Sequence, residues 1–170
     1  QTAGCILGAV LNSLSSKVLK RLFNVRRPAG AAKGDPGMPS SHAQSLFFFA
    51  SYLTIVLDTG TLLEMVGFAP APQFLRVAIP VLFFSLAAVL SYLRVRAGLH
   101  TVPQVMVGGG FGTAAGAAWL TIQPTVMQAL SEQLHTWPIS MSLVIGVFVL
   151  GVAGRTLAEW LSEAAKYRND

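Results

Sequence analysis

The chain has 170 residues, the size of one domain; 53% are hydrophobic and 11% charged, where an ordinary soluble domain carries about 25% charged residues. This balance excludes a typical water-soluble globule and points to a bilayer as the main solvent. The net charge of +5 suits anionic lipid or a phosphate substrate, with nucleic acid the weakest partner in so apolar a chain, and one cysteine, Cys5, excludes an internal disulfide and any CxxC metal site.

The first residue is Gln1 and the chain opens in an apolar run, so a leader or a further upstream segment is expected. Five apolar segments follow: residues 2–16, 43–57, 74–93, 105–122 and 139–153. Taken as spans they predict an all-α transmembrane bundle in a single domain, residues 1–170. The first segment reaches only about 22 Å, short of a hydrocarbon core of roughly 30 Å, and reads as the tail of a longer span. Cys5, inside that run, is expected to be a buried, inert thiol. Residues 123–138, QPTVMQALSEQLHTWP, read as a separate amphipathic surface helix with Trp137 near the interface. The C-terminal LAEWLSEAAKYRND places Trp160 and Tyr167 beside charges, as an interfacial end does.

Charge placement tests the spans as a set. If all five cross, Lys17, Lys20, Arg21, Arg26, Arg27, Lys33, Arg94, Arg96, Arg155, Lys166 and Arg168 share one side. Of the twelve Lys and Arg residues only Arg76 lies on the other. That asymmetry is of the positive-inside kind, and it also gathers cations for an anionic substrate. In the fourth segment Gly108, Gly112 and Gly116 recur every four residues, a close-packing helix face. No Lys-Ser or Lys-Thr follows these glycines, so a phosphate-cradling P-loop is rejected.

Three clusters fall on the cation-rich side: KRLFNVRRP (20–28), PSSH (39–42) and RVRAGLHTVPQ (94–104). Guanidinium groups suit a phosphate ester bidentately, which makes Arg27 and Arg94 candidates, with Lys20 as a point charge. Ser40 and Ser41 open a helix, where unpaired N–H groups favour an anion. One histidine could attack phosphorus and the other protonate the leaving alkoxide. Each feature has a plainer reading taken alone: a helix cap for Ser-Ser, a topology anchor for a terminal Arg, a satisfied polar group for a lone His. His135 keeps that plain reading. Asp35 stands alone in its loop, with no acidic cluster to hold a metal, so no cofactor is expected.

Lys20 followed after six residues by Arg27-Pro28, then Pro39-Ser40-Ser41-His42, then Arg94 followed after five residues by His100, resemble the three motifs of the type 2 phosphatidic acid phosphatase (PAP2) superfamily. DPGMPSSHAQS and RVRAGLHTVPQVMVG are similar to runs in its plant and algal chloroplast branch, the lipid phosphate phosphatases of the epsilon type. The resemblance implies a membrane-embedded helical bundle, usually of six helices, so the N-terminal half is expected to be incomplete here. It also implies a metal-independent phosphomonoesterase acting on a lipid phosphate. His100 would be the nucleophile and His42 the general acid, with Lys20, Arg27, Ser40, Ser41 and Arg94 holding the phosphate. Phosphatidate is the expected substrate, and a chloroplast membrane, the inner envelope, the expected location.

Departures from the family pattern are Ser41 for Gly, Leu93 for Ser and Gln104 for Asp. Gln104 can hold the His100 tautomer but supplies no negative charge. Two rivals follow: a polyprenyl- or dolichyl-diphosphate phosphatase, and a catalytically weak accessory subunit with membrane-protein partners. A channel or transporter is disfavoured, since no span carries a central acid and no inverted repeat is visible.

Overall fold

The computed structural model describes residues 2–31, 34–58 and 73–136, with residues 151, 154 and 158 in helical conformation. Among these the structure is all-helical. Helix α1 spans Thr2–Phe23, α2 Ser41–Asp58, α3 Gln73–Arg96 and α4 Val102–Thr136. Two compact units are distinguished, Gln1–Gln123 and Pro124–Asp170, and every candidate site residue belongs to the first.

Four helices, and not five spans, are therefore described. Two of them, over Phe74–Arg96 and Val102–Gln133, are long and apolar enough to cross a membrane. The first of them is not packed as a soluble-core helix: Val77, Val81, Leu82, Leu86 and Val89 of α3 all stand exposed. Lipid is the solvent such a face fits. The fifth segment apart from residue 151, and Trp137, Trp160, Tyr167, Lys33, Arg155, Lys166 and Arg168, lie outside the described residues.

Helix α1 corrects the first expectation. It runs past residue 16 to Phe23, 22 residues in all, or about 33 Å. Its last two turns carry Lys17, Lys20 and Arg21, which an apolarity scan discounts. Residues 123–136 are likewise no separate surface helix; α4 continues through Pro124. Cys5 is half-buried rather than enclosed.

Side-chain partners give the helix directions. Asn12 and Ser16 of α1 meet Gln44 and Ser41 of α2, so α1 and α2 are antiparallel. Trp119 Nε1 donates to the Gly4 carbonyl across 2.9 Å, and Phe23 meets Phe111; α1 and α4 are antiparallel too. Arg94 meets His42 while Phe84 meets Phe47, which sets α3 antiparallel to α2. Helices α2 and α4 run parallel at close range. A Cβ on Gly108 would lie 2.6 Å from the Ser40 carbonyl oxygen and one on Gly116 2.7 Å from that of Phe48, while one on Gly112 would overlap Gln44 O. The four-residue glycine period is thus a helix–helix seam, as expected.

These directions decide where a site can form. The C-terminal ends of α1 and α3 and the N-terminal ends of α2 and α4 lie at one end of the bundle. Arg76, near the start of α3, lies at the other. The core is unusually polar on the α1–α2 face. Gln44 Nε2 donates to Asn12 Oδ1 (3.0 Å) and Ser15 Oγ (3.0 Å), with Gln44 and Asn12 both buried. Such bonds join helices where burial of apolar surface cannot.

Candidate active site

Two helix C-caps aim the site loops. Asn24 adopts φ 46° and its N–H bonds the Lys20 carbonyl, stopping α1. Gly98, at φ 68°, ends α3, and Leu99 N–H donates to the Arg94 carbonyl across 3.1 Å. Both are left-handed caps of the kind that ends many helices. They turn residues 25–28 and 99–101 over the bundle end.

His100 is buried, with 2% of its surface exposed. Its Nδ1 lies 3.0 Å from the Gly37 carbonyl oxygen and 3.3 Å from Gln104 Oε1. A carbonyl only accepts, so Nδ1 carries the proton. Nε2 then holds the lone pair and accepts from Arg27 Nη1 at 3.2 Å. Burial first, and then the Arg27 charge, push the His100 pKa down to about 4. The ring is neutral at physiological pH, with its nucleophilic nitrogen among cations.

Gln104 is locked in one orientation. Its Nε2 donates to the Arg26 carbonyl (2.8 Å), and its Oε1 accepts from Thr101 N–H (3.1 Å). It supports the tautomer, as expected, but shares that task with the closer Gly37 carbonyl. Motif spacing passes over Gly37, although Pro36-Gly37, one residue before PSSH, signals a special turn. Its own N–H donates to the Val25 carbonyl at 2.7 Å.

Lys20 and Arg27 come together, as predicted, on a partner that was not: Asp35. Lys20 Nζ donates to Asp35 Oδ2 across 2.6 Å, and Arg27 Nη2 lies 2.9 Å from Oδ1. Burial alone would raise the Asp35 pKa, but the bonds and charges of Lys20 and Arg27 outweigh it and hold it at about 2. Asp35 is not a bystander in its loop: it pairs with Lys20, before the cap at Asn24, and with Arg27, beyond it.

Arg94 Nη2 lies 3.3 Å from His42 Nδ1; a guanidinium only donates, so that nitrogen accepts. Ser40 is wholly buried and takes the capping role: its Oγ accepts from Ala43 N–H and its own N–H donates to the Gln104 carbonyl, 3.0 Å away. That last bond ties the start of α2 to the start of α4. Ser41 Oγ pairs with Ser16 Oγ at 2.8 Å. Leu93, where the family pattern has Ser, points outward and is exposed. The candidate residues therefore form a linked set. Arg27 bonds the Leu99 carbonyl (3.0 Å), Leu99 bonds Arg94, and Arg94 meets His42.

The model of the PAP2 superfamily matches residues 2–128. The chain belongs to the PAP2 superfamily. This PAP2 chain is 33% identical over 159 residues to "Lipid phosphate phosphatase epsilon 2, chloroplastic" of Arabidopsis thaliana, covering 93% of the chain and 52% of that relative. It is 32% identical over 158 residues to the epsilon 1 protein of the same plant, covering 93% of the chain and 53% of that relative. To "Dolichyldiphosphatase 1" of Mus musculus it is 28% identical over 149 residues, covering 81% of the chain and 59% of the relative. The PAP2 chain thus spans about half the length of the curated relatives it matches. No solved structure matches it.

Proposed function

We propose that this PAP2 chain is a membrane lipid phosphate phosphatase that hydrolyses a phosphomonoester, phosphatidate to diacylglycerol, through a phosphohistidine and without a metal. The observation that carries the reading is the His100 tautomer, with Nδ1 committed to Gly37 and Nε2 unprotonated among cations. Arg27, Lys20 and Arg94 take the phosphoryl oxygens, helped by the Ser40 and Ser41 hydroxyls. His100 Nε2 attacks phosphorus; the N–P bond forms as the P–O ester bond breaks. His42, carrying a proton on both nitrogens once Arg94 turns to the phosphate, gives one to the departing alkoxide. Water then attacks phosphorus, His42 takes its proton, the N–P bond breaks and inorganic phosphate leaves.

Gln104 does not demand an inactive subunit, because the Gly37 carbonyl does the orienting that a carboxylate could share. The similarity to dolichyldiphosphatases supports a second reading, a polyprenyl diphosphate as substrate, since the same groups would cleave a phosphoanhydride. Residence in a chloroplast membrane, the inner envelope, rests on the relatives' names.

The test is phosphate release from phosphatidate micelles in EDTA. The parent protein should turn over and form an acid-labile phosphoenzyme, and His100→Ala should do neither. Equal release by both proteins removes the assignment. Faster turnover of a polyprenyl diphosphate selects the second reading.

A further inference from the structure

Ser91 of α3 is wholly buried, and its Oγ has no hydrogen-bond partner. A serine inside a helix often gives its hydroxyl to the carbonyl one turn back; this one does not. Buried polar groups are nearly always satisfied, so an unsatisfied one asks what completes it. Ser91 forms part of the wall of a groove of about 340 Å³ along α3 and α4, with Phe47 of α2, Val95, Val102, Gly110 and Thr113. The groove starts at the site end of the bundle, since Val95 follows Arg94 and Val102 lies just beyond His100. From Val102 to Thr113, α4 rises about 16 Å, half of a hydrocarbon core of roughly 30 Å. That is the depth of one acyl chain in one leaflet. Val102 and Met106 stand exposed along it, so it opens sideways to lipid. Ser91 precedes Arg94 by one helical turn on the same face, about 4.5 Å along the axis. With a phosphate on Arg94, the fatty-ester carbonyl of a glycerolipid, a few bonds further along, falls at the level of Ser91. A carbonyl only accepts, and Oγ–H is a donor without an acceptor.

We propose that Ser91 is a specificity-determining residue: a lipid phosphate lays one acyl chain in the groove along α3 and α4, and Ser91 Oγ–H donates to its ester carbonyl. This rests on the phosphatase reading of the same site and deepens it, naming ester-linked glycerolipid phosphates as the substrate class. The protein itself shields Oγ from water, so the hydroxyl gains a bond to an ester without giving one up. An ether-linked or isoprenoid chain fills the same groove, offers no carbonyl and gains no such bond. The discrimination therefore comes from the chain, while the phosphate contacts are common to all these lipids.

The probes are dioctanoyl phosphatidate and its dioctyl ether analogue, which share headgroup and chain length and differ only in the carbonyls. Both are titrated in detergent against His100→Ala protein, which should not consume them, with binding read as a thermal shift. The ester should bind about tenfold more tightly, the upper end of what one neutral hydrogen bond contributes. Adding Ser91→Ala should abolish that preference and leave the unliganded melting temperature unchanged or higher, because a hydroxyl without a partner stabilises nothing. A preference that survives Ser91→Ala overturns the assignment, as does equal binding of the two lipids before that change. A lowered melting temperature also overturns it, since the hydroxyl would then have a partner within the fold. Gly110→Leu, where a Cβ meets nothing within 4 Å, fills the groove and should weaken both lipids relative to glycerol phosphate. An unchanged ratio there, or a changed oligomeric state in its place, makes the groove a packing surface and removes the tail site. Hydrolysis of the ester by the parent is measured alongside. Hydrolysis with binding that ignores Ser91 sinks this inference alone, and a Ser91-dependent preference without hydrolysis sinks the phosphatase reading alone.

Discussion

The imidazole of His100 donates from Nδ1 to the carbonyl oxygen of Gly37 across 3.0 Å. A backbone carbonyl therefore does part of what an acidic side chain does for many reactive histidines. A Cβ on Gly37 would lie 2.7 Å from Gln104 Nε2 and 2.8 Å from its Oε1, so Gly37→Ala must displace the amide or the loop. Turnover is expected to fall about 100-fold, as a 1 Å misplacement can cause, with methyl phosphate affinity changed little. Wild-type kcat in Gly37→Ala would falsify the positioning role.

Gln104→Glu tests whether the amide or a charge is wanted. Gln104 Nε2 donates to the Arg26 carbonyl, and a carboxylate would turn an acceptor toward that oxygen. The loss should cost about 1–3 kcal/mol, read as a lower melting temperature. The new charge should also raise the His100 pKa. A variant as stable as the parent would show that the Arg26 bond contributes nothing.

The pH behaviour follows from His100 and Asp35. His100 is held at about 4 against an ordinary 6.5, so the folded ring stays neutral where the unfolded one takes a proton. Between pH 6.5 and 4 the unfolded state binds more protons, and stability must fall as pH drops through that window. Asp35, held at about 2 against 3.8, contributes stability above pH 3.8 that is lost as pH falls toward 2. NMR of imidazole-labelled protein should show His100 neutral at pH 5.5. A midpoint for this ring near 6.5 contradicts the buried, cation-flanked geometry.

Gly112→Leu tests the seam between α2 and α4. A side chain there meets the Gln44 backbone carbonyl, which cannot rotate aside. Overpacking of this kind costs about 1–3 kcal/mol or more. Since the seam aligns PSSH with the start of α4, activity should fall with stability. Gly110→Leu is the control, because a Cβ at Gly110 meets nothing within 4 Å. Equal melting temperatures for the two variants would exclude the close approach.

Much of the bundle is legible in the chain for physical reasons. Membrane helices must be apolar where they face lipid, so α3 and α4 announce themselves. Gly108, Gly112 and Gly116 repeat at the helical period and form the seam that period predicts. Helix α1 reads too short because Lys17, Lys20 and Arg21 interrupt its apolar run, although cations at a helix C-terminus are favourable.

Residue types and spacing alone determined the all-helical class, the gathering of cations at one end, and the two histidines with their arginines. Only the folded chain decided which groups meet. The tautomer of His100 rests on a backbone carbonyl, which has no signature in sequence. The partnership of Asp35 with Lys20 and Arg27 spans 15 and 8 residues and depends on the left-handed cap at Asn24 turning the chain between the two cations. Periodicity reports the face of one helix; hydrogen bonds between loops depend on where several helices end.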